Sequence, residues 1–429
     1  MTPFPRRDGA LHAESIALST LAGKVGTPVY VYSAGGFRAQ ARRLREALAA
    51  HPEIIAPLIA FAVKANGNRS VLAVLAAEGL GADTVSEGEI RRALAGGVPP
   101  DRIVFSGVGK TDAELAFAVE TGVRQINIES ATELERLIAV ARERGRVPDI
   151  AIRVNPAIGA GGHAKITTGG AGDKFGVPAA EALELYARAA ASGAVRPVGL
   201  ACHIGSQITD VAPLRSAFAV MRGLVETLRG EGLAVERLDL GGGLGVPYRP
   251  GDPDTPFDAY AEVVAETVRD LDVQLVLEPG RVIAAEAGVL LSRVIQVTER
   301  PDGRRFLVLD AAMNDLKRPA LYDAEHDIVA VAQEGAGELT YDVVGPVCET
   351  GDTLARGRRL PSLAAGDLVA IRTAGAYGAT MASEYNARLL VPEVLVDGER
   401  WAVIRRRPAP DAFLEREPVA EWLGLPAKS

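Results

Sequence analysis

The chain has 429 residues, which is long for one ordinary domain and predicts two. Hydrophobic residues make up 48% of it and charged residues 24%, the balance of a soluble globular protein. The net charge of -8, without a basic block, argues against a nucleic-acid partner. Two cysteines exclude a disulfide framework, and the five histidines are too scattered to predict a metal site.

The amino-terminal 24 residues contain no apolar segment of the kind found in secretory signal peptides. No other stretch is apolar for long enough to cross a bilayer, so no membrane partner is predicted. Together with the low cysteine content, these features predict a cytoplasmic protein in a reducing compartment.

Short apolar runs alternate with segments of helical periodicity between about residues 58 and 281. Eight such units favour a (β/α)₈ barrel, although a doubly wound open sheet would give the same local pattern. The predicted strands are Leu58–Lys64, Leu80–Val85, Arg102–Phe105, Arg124–Ile128, Asp149–Val154, Pro197–His203, Arg237–Leu240 and Gln274–Glu278.

Two helix starts in this region carry the capping-box pattern, in which a hydroxyl and a carboxylate satisfy backbone N–H groups reciprocally. The pairs are Thr111 with Glu114 and Ser130 with Glu133. We therefore expect a helix to begin after each hydroxyl residue.

A different pattern, rich in strands, follows residue 281. Hairpins are predicted for Val289–Thr298 with Arg305–Leu309 and for Leu389–Val396 with Arg400–Arg405. Further strands are predicted at Val343–Val347 and Asp367–Thr373, and Thr27–Tyr32 is expected to join the same sheet. The predicted domains are therefore a barrel at 36–282 and a β-rich domain at 1–35 and 283–429.

Chemically unusual residues lie at the carboxyl ends of the predicted barrel strands, where barrel enzymes place their active sites. Lys64 ends the first strand, and it is either a lysine reaching solvent or a partly desolvated amine that condenses with an aldehyde cofactor. His203 ends the sixth strand, and it is either a core histidine or a flat ring that stacks on a heteroaromatic cofactor.

Glycines and an acid follow the last two strands. Gly241–Gly243 form either a tight turn or a phosphate cradle of backbone N–H groups, to which Ser206 would add a hydroxyl. Glu278 is either neutralised by Arg281 or is the partner of a pyridinium nitrogen. An amine, a flat ring, a phosphate cradle and an acid together favour pyridoxal phosphate.

The sequence resembles a known family from residue 27 to about residue 396. The shared motifs, in family order and spacing, are FAVKANGN, GADTVSEGEI, HIGSQI, DLGGGLG, EPGR, MNDLKRPALY, CETGD and AGAYG. They are similar to those of the pyridoxal-phosphate decarboxylases of the alanine-racemase-like fold, and most of all to those of the diaminopimelate decarboxylases. The resemblance implies conversion of meso-2,6-diaminopimelate to L-lysine and carbon dioxide, the last step of lysine biosynthesis.

The resemblance also implies roles for individual residues. The implied cofactor-binding residues are Lys64, His203, Ser206, Gly242, Glu278, Gly280, Arg281 and Tyr377. The implied catalytic residues are Lys64, His203 and Cys348, which matches the family's proton donor and should be partly exposed. The implied substrate-binding residues are Arg281, Arg318, Tyr322, Glu349 and Tyr377. Members of the family complete each active site with a second subunit, so a homodimer is expected.

Substrate choice rests mainly on Arg281 and Arg318, because a guanidinium such as that of Arg318 can hold a second carboxylate through two hydrogen bonds. This favours diaminopimelate over ornithine, arginine or a carboxylated polyamine such as carboxynorspermidine. An amino-acid racemase and a non-enzymatic relative that keeps the fold would carry several of the same motifs. The racemase would need a second acid/base group on the opposite face of the cofactor ring.

Overall fold

The computed structural model describes residues 3–159, 168–170, 172–332 and 337–423. The chain begins with a small antiparallel sheet of three strands, β1 (Arg6–Arg7), β2 (Ala10–Ala13) and β3 (Ile16–Ala17). Helix α1 (Leu18–Val25), strand β4 (Val29–Ser33) and helix α2 (Ala34–Ala49) then lead to the barrel. Ser33 caps α2, because its Oγ accepts a hydrogen bond from the Gly36 N–H.

Eight parallel strands form a closed barrel. They are β5 (Leu58–Ala62), β6 (Gly81–Thr84), β7 (Ile103–Phe105), β8 (Gln125–Ile128), β9 (Asp149–Asn155), β11 (Arg196–Ala201), β12 (Arg237–Asp239) and β13 (Gln274–Leu277), while the short strand β10 (Val177–Pro178) pairs with β9 outside the ring. Strand β13 pairs back onto β5, and β8 pairs with β9, so the sheet has no free edge. This closure confirms the predicted (β/α)₈ barrel and excludes the open sheet.

A helix follows each barrel strand. These helices are α3 (Arg69–Ala77), α4 (Glu87–Ala95), α5 (Asp112–Thr121), α6 (Ala131–Arg144), α7 (Ala179–Ser192), α8 (Ala212–Gly230), α9 (Phe257–Val268) and α10 (Arg281–Ala284). The capping box of Thr111 with Glu114 is confirmed. The second box is half wrong: Ser130 caps α6, but the Glu133 carboxylate accepts a hydrogen bond from buried Lys110.

The second domain is built on a mixed sheet. Its elements are β14 (Gly288–Glu299), β15 (Arg305–Leu309), α11 (Arg318–Tyr322), β16 (Ile328–Ala330), β17 (Glu338–Val344), β18 (Thr353–Pro361), β19 (Leu368–Ile371), β20 (Glu393–Asp397) and β21 (Arg400–Arg405). Both predicted hairpins are present, and β4 joins this sheet as the sequence predicted; it lies between β14 and β20. Strand β17 ends at Val344, three residues before the predicted end at Val347, because Pro346 has no backbone N–H with which to continue the pairing.

One hydrophobic core connects the two domains. It includes barrel residues such as Phe61 and Ile126 and second-domain residues such as Leu290 and Leu307. The loop that carries Tyr377 also contacts the barrel, since its N–H donates a hydrogen bond to the Ala65 carbonyl. The second domain is therefore fixed over the mouth of the barrel. Within the described ranges, no helix has the length and apolar character needed to cross a membrane.

Candidate active site

Lys64 is held at the barrel mouth by an aspartate of the next strand. It lies in a single 3₁₀ turn (Val63–Ala65) directly after β5. Its Nζ donates a hydrogen bond of 2.8 Å to Oδ2 of Asp83, which is fully buried in β6. Burial is the largest single effect and disfavours the ammonium, but the interactions with Asp83, Tyr377 and Glu278 together outweigh it, so the pKa of Lys64 lies above its ordinary value. The Asp83 carboxylate thus fixes the position of the Lys64 amine by accepting its hydrogen bond.

Glu278 lies at the end of β13 among other buried polar groups. The Ser106 hydroxyl lies 3.5 Å from its Oε1, and Asn127 Nδ2 donates to that hydroxyl at 3.0 Å. Burial, followed by the neighbouring charge of Asp239, raises the pKa of Glu278 well above its ordinary value. The pKa of Asp239 itself is raised to about 7, mainly by burial. These two acids therefore hold at least one proton below the barrel mouth, where a basic ring nitrogen could share it.

Arg281 does not neutralise Glu278, so that interpretation of Glu278 is wrong. The Arg281 Nη2 donates to Ser206 Oγ at 2.9 Å, and its Nη1 donates to Tyr248 Oη at 2.6 Å. The guanidinium also lies 4.8 Å from the centre of the Tyr377 ring. Arg281 therefore belongs to the side of the site that faces the second domain.

His203 is fixed as a neutral ring by the glycine turn after β12. The Gly242 N–H donates to His203 Nδ1 at 3.2 Å, so this nitrogen carries a lone pair rather than a proton. Burial, helped by the charges of Lys64 and Arg153, lowers the pKa of His203 well below its ordinary value. A neutral imidazole of fixed orientation is suited to stacking on a flat heteroaromatic ring.

The turn itself admits only glycine. A Cβ on Gly242 would lie 2.1 Å from the Glu278 carbonyl oxygen, and one on Gly243 would lie 2.5 Å from the Gly205 carbonyl oxygen. The φ angle of Gly243 is also +120°, which side chains strongly disfavour. Gly280 packs closely as well, since its Cβ would lie 3.0 Å from the Ala62 Cβ. Glycine at these positions therefore lets the turn pack directly against neighbouring backbone at the barrel mouth.

Arg318, the first residue of α11, is the second buried guanidinium of the site. It stacks on the Tyr248 ring at 4.2 Å, and its Nη1 lies 2.8 Å from His326 Nε2. Burial lowers its pKa to about 10. Tyr322, at the other end of α11, interacts electrostatically with both Arg318 and Arg281.

Both guanidiniums lack a compensating acid. Arg281 and Arg318 are only 6% and 5% exposed, yet over the described ranges neither has a carboxylate within 4.0 Å. The Arg318 Nε–H has no hydrogen-bond partner in the same part of the chain. Because a buried charge without a counterion is costly, this side of the site is built to receive an anion.

Cys348 and Glu349 lie elsewhere, on an exposed edge of the second domain. The Cys348 N–H donates to Asn386 Oδ1 at 2.9 Å, and Glu349 hydrogen-bonds to the Tyr385 hydroxyl. Among the residues that the structure describes, no hydrogen bond or ion pair links Cys348 or Glu349 to Lys64 or to its partner Asp83. The thiol is exposed, whereas the other cysteine, Cys202, is buried.

The remaining predicted site residues surround the barrel mouth. They are Lys64, His203, Ser206, Gly242, Glu278, Gly280, Arg281, Arg318, Tyr322 and Tyr377. Sequence reasoning missed four of their partners: Asp83 as the acceptor of Lys64, and Asp239, Tyr248 and His326. Asp83 carried a usable signal, because it is the one charged residue of its strand, Gly81–Thr84.

Comparison with known proteins agrees with this geometry. The family model for the pyridoxal-binding domain of pyridoxal-dependent decarboxylases matches residues 35–285. The diaminopimelate decarboxylase of Zymomonas mobilis is 48% identical over 424 residues, covering 99% of this chain and 100% of that protein. That of Pseudomonas aeruginosa is 49% identical, covering 95% of this chain and 96% of that protein.

A solved structure agrees as well. The structure of diaminopimelate decarboxylase from M. jannaschii in complex with L-lysine superposes with a TM-score of 0.93. It is 34% identical in sequence and covers 98% of both chains. The chain therefore belongs to the pyridoxal-dependent decarboxylases, and within them to the diaminopimelate decarboxylase family.

Proposed function

We propose that the chain removes carbon dioxide from meso-2,6-diaminopimelate and releases L-lysine, with pyridoxal phosphate as its cofactor. The observation that carries the substrate assignment is the pair of buried guanidiniums, Arg281 and Arg318, which have no acid partner in the described ranges. They lie beside the barrel mouth that holds Lys64. A substrate with two carboxylates can lose one and still supply an anion to this pair.

The residues of the barrel mouth fit pyridoxal phosphate. Lys64 would hold its aldehyde carbon, His203 would stack on its ring, and Glu278 would share a proton with its ring nitrogen. The phosphate would be held by Ser206, by the backbone of Gly242 and by the backbone of Gly280 and Arg281, with Tyr377 beside it. The glycine turn directly after β12, the seventh strand of the barrel, lies where barrels commonly bind phosphate, and this supports the phosphate position. When bound, the cofactor supplies an electron sink for the pair of electrons left by the departing carbon dioxide.

The protein's own groups then manage protons and orientation. The hydrogen bond to Asp83 holds the Lys64 amine at the barrel mouth, where it would meet the aldehyde carbon. Glu278 would face the ring nitrogen, where a carboxylate would stabilise a bound proton. The Cys348 thiol delivers a proton to the substrate carbon that has lost its carboxylate. One proton gained for one carbon dioxide lost balances the reaction.

Cys348 can protonate the substrate only by touching it. Within its own subunit, however, Cys348 lies on an exposed edge and contacts Asn386 rather than Lys64. We therefore propose a homodimer in which the Cys348–Glu349 edge of one subunit completes the barrel site of the other. In that arrangement Glu349 would meet the distal ammonium of the substrate, and Arg318 and Tyr322 its distal carboxylate.

Two unpaired thiols, Cys202 and Cys348, support a cytoplasmic location.

The test is the release of carbon dioxide and lysine by purified protein loaded with pyridoxal phosphate. Meso-diaminopimelate is compared with ornithine and arginine, and Lys64→Ala is the matched inactive control. We expect lysine from diaminopimelate alone and no turnover by Lys64→Ala. Release only from another amino acid would refute the substrate assignment, and near-normal turnover by Lys64→Ala would refute the role of Lys64.

A further inference from the structure

His326 connects the backbone of the second domain to Arg318. Its Nε2 lies 2.8 Å from Arg318 Nη1, and its Nδ1 lies 2.8 Å from the Arg372 carbonyl oxygen. A carbonyl oxygen only accepts hydrogen bonds, and a guanidinium only donates them. The Nδ1 must therefore carry the proton and Nε2 the lone pair, so both contacts exist together only in one neutral tautomer.

The surroundings of His326 hold it in this role. The residue is 4% exposed, and its ring meets the Tyr248 ring edge-on, with centroids 5.0 Å apart. Backbone bonds fix the chain on both sides: the Asp327 N–H donates to the Tyr248 carbonyl, and the Arg372 N–H donates to the Asp327 carbonyl. Burial and the charge of Arg318 lower the pKa of His326 to about 3, which keeps the ring neutral at physiological pH. The imidazole is thus a rigid acceptor.

The contact uses only one end of the Arg318 guanidinium. With Nη1 engaged by His326 and the plane stacked on Tyr248, the edge formed by Nε and Nη2 is left for a ligand. The Nε–H has no partner in the part of the chain that the structure describes. That edge presents two parallel N–H groups, the geometry that binds a carboxylate through two hydrogen bonds.

A neutral acceptor also preserves the charge of Arg318. An acid in the place of His326 would orient the guanidinium but would cancel its attraction for an anion. The positive charges of Arg281 and Arg318 repel each other, and this repulsion adds to the effect of burial in lowering the pKa of Arg318. A partner that orients Arg318 without neutralising it is what an anion subsite of this kind requires.

From these contacts we propose that His326 is a positioning residue that determines specificity: it orients Arg318 so that its Nε–Nη2 edge receives the distal carboxylate of the substrate. The inference rests on the proposed function, in which that carboxylate remains in the product. Decarboxylation of diaminopimelate leaves one carboxylate, so L-lysine carries the group in question. Cadaverine is the same molecule without it.

The test measures binding of these two amines to the cofactor-loaded protein by calorimetry. His326→Phe keeps the ring contact with Tyr248 and removes both nitrogens, whereas the amide of His326→Gln can again donate to Arg372 and accept from Arg318. His12→Gln is the matched control, because its Nδ1 also lies near a backbone carbonyl oxygen (Ala10, 3.1 Å) but in the amino-terminal sheet. Should His326→Phe not fold, His326→Leu takes its place.

We expect His326→Phe to weaken L-lysine binding about tenfold or more, since misplacing one charge-assisted contact costs about a factor of ten in affinity. Cadaverine binding should change less than about twofold, and His326→Gln should restore most of the L-lysine affinity. KM for diaminopimelate should rise while kcat changes less.

Equal losses for both amines, an unchanged L-lysine affinity in His326→Phe, or no rescue by Gln would each overturn the proposal. Wild-type protein that gives no lysine from diaminopimelate refutes the proposed function instead. The comparison of L-lysine with cadaverine then still decides whether His326 supports a carboxylate subsite.

Discussion

The ion pair between Lys110 and Glu133 gives a quantitative prediction about stability. The Lys110 side chain is 1% exposed, and its Nζ donates three hydrogen bonds: to Glu133 Oε1 at 2.6 Å, to the Asn127 carbonyl at 2.6 Å and to the Gly107 carbonyl at 2.8 Å. Lys110→Met would leave one buried carboxylate and two buried carbonyls without this donor. Breaking a buried ion pair from one side costs about 3–5 kcal/mol.

The double variant separates this cost from the value of the pair. Burial lowers the pKa of Lys110 and raises that of Glu133, so for each group desolvation outweighs the attraction of its partner. Replacing both by apolar residues, as in Lys110→Met with Glu133→Leu, should therefore recover much of the loss. The two carbonyls would still lose this donor, and each one left without a partner retains a cost of about 1–3 kcal/mol.

Scanning calorimetry measures the effect, with an exposed ion pair as the control. For a barrel of this size about 2 °C of melting temperature corresponds to 1 kcal/mol, so Lys110→Met should melt about 6–10 °C below the wild type. Arg144 pairs with Glu120 at 2.9 Å on the surface, and Arg144→Met should cost less than about 1 kcal/mol. Equal effects of the two single substitutions, or a double variant less stable than Lys110→Met, would refute the reasoning.

Three further substitutions test the site. Cys348→Ala should lower kcat by about 10²–10⁴-fold with the affinity for pyridoxal phosphate unchanged, whereas lost cofactor in a binding titration would contradict its role as proton donor. Arg318→Ala should raise KM for diaminopimelate about 10²-fold with a smaller change in kcat, and an unchanged KM in steady-state kinetics would remove it from the site. The pKa of His326 is about 6.5 in the unfolded chain but about 3 in the folded protein. Wild-type protein should therefore lose stability relative to His326→Gln as the pH falls from 6.5 to 3. Urea unfolding at pH 5 should show a loss of about 2 kcal/mol. A difference between them that is independent of pH would contradict the neutral buried ring.

The barrel could be predicted from the sequence because its signals are local. Each strand is a short apolar run, and each helix repeats its apolar residues with helical spacing, so the sequence places all eight strands within two residues of their bounds. Local signals failed where a tertiary contact decides. Glu133 fits a capping box in the sequence, yet Lys110 draws its carboxylate away. The division of the domains at residues 36 and 282 stays a prediction.

The site could be predicted only where chemistry and position coincide in the sequence. Lys64 and Glu278 follow apolar strands, so their place at the barrel mouth follows from the barrel itself. Tyr248 and His326 lie outside barrel strands and helices, 78 residues apart in a chain whose folding alone brings their rings to 5.0 Å. No periodicity marks such residues. Their roles depend on which atoms of Arg318 they leave free, and only the tertiary structure determines that.

The arrangement of charge explains why an amino acid with a distal carboxylate suits this site. Buried acids, Asp83, Asp239 and Glu278, lie on the barrel side, where the Lys64 amine and a ring nitrogen need proton acceptors or donors. The two guanidiniums lie on the side of the second domain. They are held there by hydroxyls and an imidazole, which orient them without adding negative charge. Neutral partners thus keep the arginine side attractive to carboxylates, and an acid at any of those positions would have favoured a substrate that ends in an ammonium.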